Sequence, residues 1–132
     1  MDAAEIDKIL EDHQRWLENG EDGERAILID ADFHRLDLRG TAFRNADLRG
    51  ANLSESDLSG ADMRGANLVL AQMFQTNLEG VILRGADLTE ADMRRANLKN
   101  TDLAGAEMWR TNIKGCRIDP EVLHGLLDCE MP

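Results

Sequence analysis

From Ala26 to Ile118 the chain repeats every five residues without a single insertion. Units such as Ala46-Asp47-Leu48, Ala66-Asn67-Leu68, Ala86-Asp87-Leu88 and Ala96-Asn97-Leu98 are each followed by two mostly polar residues. Nineteen first positions, Ala26 to Cys116, hold eleven Ala and four Thr, with Leu36, Ser56, Val81 and Cys116 as the remainder. Third positions hold eleven Leu, four Met, two Phe and two Ile; second positions hold eight Asp and five Asn. A period held this strictly marks a solenoid, in which each turn of chain stacks on the next to share one core.

Five matches neither the 3.6 of a helix nor the 2 of a flat strand. First and third positions are two apart, so in an extended segment both point to one side and the second position points to the other. The two polar residues must then turn the chain so that the next pair faces inward again. Eight of the eleven glycines fall at the fifth position, where a corner can use them. The period leaves open how many sides make one turn.

Tandem A-(D/N)-L-x-x over about 93 residues resembles the pentapeptide-repeat family. The resemblance implies an all-β solenoid: a right-handed, quadrilateral β-helix with about 20 residues per coil and Ala-type and Leu-type residues inside. At a strand spacing of about 4.8 Å, four to five coils make a rod roughly 22 Å long.

One domain is expected from 132 residues. It divides into residues 1–25, an N-terminal capping helix and linker; 26–118, the β-helix; and 119–132, a short C-terminal helix. Apolar residues make up 42%, yet Phe and Trp total only five. A narrow core of Leu and Ala needs no larger rings. The sequence has no apolar run of spanning length and no exported leader pattern, so the expectation is a soluble cytoplasmic protein. Cys116 and Cys129 give neither a disulfide framework nor a metal spacing.

Ile6, Ile9, Leu10, His13, Trp16 and Leu17 trace one helical face. Asn19-Gly20 reads as its stop. Such a helix can cover the unpaired edge at a solenoid end, with Trp16 laid on the first coil. Asp119-Pro120 reads as an N-cap followed by the first helical residue of a second helix ending near Asp128. Its apolar face, Val122, Leu123, Leu126 and Leu127, can cap the last coil. It can also meet a second copy, since the resemblance implies homodimers through C-terminal ends.

The net charge of −11 is unevenly placed: −6 over residues 1–25, −1 over 26–118 and −4 over 119–132. Acidic ends disfavour direct contact with nucleic acid or anionic membranes. The recurring Asp and Asn suit local hydrogen bonding at corners better than paired-carboxylate catalysis. His13, His34 and His124 are scattered, and no nucleophile, phosphate-loop or metal signature is present. The expectation is a protein without catalytic activity, cofactor or metal.

Stacking every fourth unit sets Arg44, Arg64 and Arg84 in one column, beside Asp62 and Asp102. It also groups outward apolar residues: Val69 and Leu70 replace a polar pair, Phe74 follows at the next fourth position, and Trp109 stacks two coils from Val69. Grouped apolar surface can mark a contact site. The function expected is a protein-docking or scaffold rod. The alternatives are a DNA-mimic protector or inhibitor of gyrase, which the resemblance suggests, and a structural subunit of a larger assembly. Against the gyrase reading stand a repeat net charge of only −1, a short rod and no loop between units.

Overall fold

The computed structural model describes residues 1–127, with side chains through Leu126. Single parallel β-bridges join each second-position residue to the one 20 residues later: Ile27 to Asp47, Asp47 to Asn67, Asn67 to Asp87 and Asp87 to Glu107. The same step recurs on three further sides, from Asp32, Asp37 and Ala42. Four five-residue units therefore complete one turn.

Two hydrogen bonds per unit tie the turns together. The N–H of Asp47 donates to the Ala26 carbonyl at 2.9 Å, and that of Leu28 to the Asp47 carbonyl at 2.7 Å. A third links corners, as where Asp30 N–H meets the Arg49 carbonyl at 2.9 Å. Backbone polar groups are thus satisfied between turns, which lets the interior be almost wholly apolar, with Ser56, Thr76 and Thr101 as buried exceptions.

Each corner closes with the first-position N–H donating three residues back, as from Ala31 to the Leu28 carbonyl at 3.2 Å. Every fifth position from Asp30 to Gly115 has φ between 54° and 72°. Positive φ at the third turn residue alone defines a type II turn. All eight Asp and five Asn at second positions accept the N–H two residues on, as Asn52 does from Ser54 at 3.1 Å and Asp57 from Ser59 at 3.0 Å. The recurring Asx residues therefore build corners.

First and third positions of the middle coils are buried, with Leu48, Leu53, Leu58, Leu68, Leu78 and Leu88 at 0% exposure. Inward hydroxyls find carbonyls nearby: Thr76 donates to Leu53 O and Thr101 to Leu78 O, each at 2.8 Å.

Helix α1, Ala3–Glu18, lies across the first coil. Asp2 and Glu5 form a reciprocal capping box at its start. Ile6 is buried, with Ile9 and Leu10 packed beside it. The residue that reaches the coil backbone is His13 rather than the expected Trp16. His13 is fully buried, and Trp16 is half-buried and stacks on its ring at 5.5 Å.

Helix α2, Pro120–Leu127, follows the last coil; Asp128 and Cys129 lie outside the described residues. The Asp119 carbonyl accepts the first helical bond, from Leu123 N–H at 3.0 Å. Asp119 thus holds the N-cap position and Pro120 the first helical one, as expected, but the Asp119 carboxylate bonds elsewhere. It accepts the Asn100 N–H at 3.0 Å, taking the place of its own carbonyl, which the helix has claimed.

Candidate protein-contact surface

The type II corners turn fourth and fifth positions outward, and residues 20 apart share a column. One corner carries Ile29, Arg49, Val69, Thr89 and Trp109, with Asp30, Gly50, Leu70, Glu90 and Arg110 beside them. On it Ile29 is 45%, Leu70 57% and Trp109 71% exposed, and Ile27, one step onto the adjoining side, is 48% exposed. The other large exposed apolar residues among those described, Met1 and Leu36, lie at the N-terminal end. Apolar side chains thus gather along one edge of the rod. The sequence reading found Val69, Leu70 and Trp109 there but missed Ile27 and Ile29, although both put isoleucine where the repeat is otherwise mostly polar.

Phe74 sits one corner further on, half-buried, with the Arg94 guanidinium 5.4 Å from its ring centroid. That cation covers its face and removes it from the exposed edge.

Leu70 occupies a backbone conformation that disfavours it. Its φ is 61°, and a left-handed residue other than glycine costs about 1–2 kcal/mol. Its side chain returns little of this by burial.

The charged column is compensated. Arg64 pairs with Asp62 and Arg84 with Asp102, each at 2.6 Å, while Arg44 forms no ion pair among the described residues. Arginine two residues after aspartate recurs in four units, and each pair is bidentate: Asp37–Arg39, Asp47–Arg49, Asp62–Arg64 and Asp92–Arg94. The guanidinium holds each carboxylate below its usual pKa, to about 2 for Asp37.

At the C-terminal end Val122 and Leu126 pack on the core cluster of the last coil, beside half-buried Ala106, Met108 and Ile118. Leu123 is half-buried, and the Leu127 side chain lies outside those described. Cys116 is half-buried at its inward position, and desolvation raises its thiol pKa. Among the described residues no His, Cys, Asp and Glu group could hold a metal ion, and no helix is long and apolar enough to cross a membrane.

Eight copies of the pentapeptide repeats model match residues 43–80 and 82–118. The units between Ala26 and Ala42 carry the same bridges outside that match. Among solved structures, the chain is similar to the pentapeptide repeat protein Rfr23 of the cyanobacterium Cyanothece 51142, at 34% identity and TM-score 0.52, covering 73% of this chain and 58% of that one. It is similar to HetL of Nostoc sp. strain PCC 7120, a pentapeptide repeat protein involved in heterocyst differentiation regulation, at 33% identity and TM-score 0.57, covering 70% of this chain and 47% of that one. A third, alr5209 of Nostoc PCC 7120, is 26% identical with TM-score 0.56, covering 72% and 86%. The chain therefore spans about half the length of the first two. No curated protein matches. These likenesses carry the right-handed β-helix over to the bridged units. On the residues matched and the identity to Rfr23 and HetL, the chain belongs to the pentapeptide repeat family.

Proposed function

We propose that this is a non-catalytic docking protein whose partner, another protein, binds along the Ile29–Leu70–Trp109 edge of a four-to-five-coil rod with α1 and α2 as end caps. The observation that carries this reading is Leu70. It is large, apolar and 57% exposed, on a backbone that favours glycine. Folding alone gives no reason to place leucine there, whereas an apolar contact patch shared with exposed Trp109 does. The pentapeptide-repeat likenesses support a non-catalytic repeat protein. The bidentate Asp–Arg pairs weigh against the DNA-mimic alternative, because they neutralise four of the carboxylates a phosphate mimic would display.

The test compares capture from the protein's own cells by wild type, by an edge variant (Leu70→Glu with Trp109→Glu) and by a control on a different corner (Glu79→Arg). A protein captured by wild type and control but lost with the edge variant supports the proposal. A partner set identical for all three, with the melting temperature unchanged, overturns it.

A further inference from the structure

Helix α1 leaves part of the first coil open. Leu36 stands in an inward first position, a column that is buried throughout the middle coils, yet it is 41% exposed. It lies in a cleft of about 600 Å³ between α1 and the Asp32–Thr41 stretch, floored also by Ile6, Leu10 and Leu38.

The edge there is unpaired. Within the rod, each second-position residue turns its N–H and C=O toward the preceding coil, as Asp57 does toward Leu36 and Leu38. Asp37 has no preceding coil. Among the described residues its N–H donates to nothing and its carbonyl accepts nothing. By contrast, His13 covers the Ala26 and Arg44 backbone where α1 crosses the end.

The rim is acidic. Asp7 and Asp32 line the cleft and form no ion pair with any described residue, and Glu11 lies in the adjoining hollow. Nine acidic against three basic residues over positions 1–25 add a longer-range field of the same sign.

We propose that this cleft binds a short, extended, basic segment of a partner protein. One backbone rung pairs with Asp37, an apolar side chain rests on Leu36 and Leu10, and lysine or arginine side chains meet Asp7 and Asp32. Addition of a strand to an open edge supplies affinity through the backbone and selectivity through alternate side chains. The acidic rim sets the sign of the partner. This surface is separate from the Leu70 edge, so either can fail without the other.

The probe is a capped hexapeptide alternating lysine and valine, with a glutamate–valine hexapeptide as its counterpart. The readouts are backbone amide shifts and hydrogen exchange of the whole protein. The lysine peptide should shift Leu36 to Leu38 and slow exchange of the Asp37 N–H. It should bind at least about tenfold more tightly than the glutamate peptide, with the advantage shrinking as salt rises. Leu36→Ser and Asp7→Lys should each weaken it by about fivefold or more while the amide spectrum stays native. Equal binding of the two peptides, shifts that map elsewhere, or no shift at millimolar lysine peptide would overturn the proposal. A dimer of the free protein that Leu36→Ser dissociates would also overturn it, by assigning the cleft to a second copy.

Discussion

Nδ1 of His13 accepts the backbone N–H of Ala26 at 2.9 Å, while Nε2 lies 3.0 Å from the Arg44 carbonyl. The ring is therefore neutral, with its proton on Nε2. Elsewhere a fourth-position carbonyl such as that of Arg49 receives a fifth-position N–H from the coil before. At Arg44 no such coil exists, and the imidazole takes that role. A second proton would sit on Nδ1 and oppose the Ala26 N–H.

Stability should therefore fall on mild acidification. Burial is the main cause lowering the His13 pKa from 6.5; the hydrogen bond to Arg44 opposes it and Arg25 adds repulsion. The unfolded chain takes up the proton at its ordinary pKa, the folded chain only at lower pH. The contribution is complete above pH 6.5 and is lost as pH falls through the folded value. The carboxylates held down by arginine remain ionised over this window and add no slope. Thermal melts from pH 7.5 to 5 should show the decline. His13→Gln should cost about 1–3 kcal/mol at pH 7.5 and flatten the dependence. Equal slopes in variant and wild type would assign the proton to another group.

Leu78→Asp should abolish the cooperative fold. Leu78 is fully buried, and an isolated carboxylate there costs several kcal/mol. Asp57→Asn keeps the oxygen that accepts the Ser59 N–H and should stay within about 0.5 kcal/mol of wild type. Circular-dichroism melts separate the two; comparable melting of Leu78→Asp and wild type would refute the inward assignment.

Gly23→Ala should be costly although Gly23 lies outside the repeat. Its φ is 88°, and an added Cβ would run into the Asp12 carbonyl oxygen and come within 2.8 Å of the Trp16 nitrogen. Residues on both sides are fixed, since Glu24 N–H donates to that same Asp12 carbonyl at 3.2 Å. Strain and clash together should remove at least about 2 kcal/mol, read as an earlier midpoint in urea. An unchanged midpoint would mean that the loop shifts freely on α1.

What could be read in advance was whatever the repeat enforces locally. The first and third columns and the Asx corners each depend on residues a fixed number apart, whereas the column of Val69, Thr89 and Trp109 depends also on the number of units per turn. Four units per turn came from the resemblance, because a period of five permits other polygons. His13 was legible only as one member of an amphipathic face. Its bonds to Ala26 and Arg44 depend on the path of residues 19–25, which no periodicity encodes. Asp119-Pro120 was legible as a helix start, but the bond from Asn100 N–H to the Asp119 carboxylate was not, because a helix start and a rung meet at that residue and the rung claimed the side chain. The Asp37–Arg39 type of pair was within reach, since aspartate at the second position and arginine at the fourth recur in four units of the repeat.

Leu70→Gly separates the needs of the fold from those of the surface. The corner needs φ near 60°, which glycine reaches freely and leucine reaches at a cost. The hydrogen bond from residue 70 N–H to the Thr89 carbonyl, 3.0 Å, does not involve the side chain and should persist. Little apolar burial is lost, because the leucine is 57% exposed. Relief of strain, offset in part by the greater freedom of unfolded glycine, should leave a net gain of about 0.5–1 kcal/mol. The melting temperature should rise by roughly 2–5 °C. Leu70→Ala keeps the left-handed strain and should melt near wild type. If the docking reading holds, both substitutions weaken partner capture while neither destabilises the rod. A lower melting temperature for Leu70→Gly would instead show that the leucine side chain supports the fold, and the edge would lose the observation on which its proposed role depends.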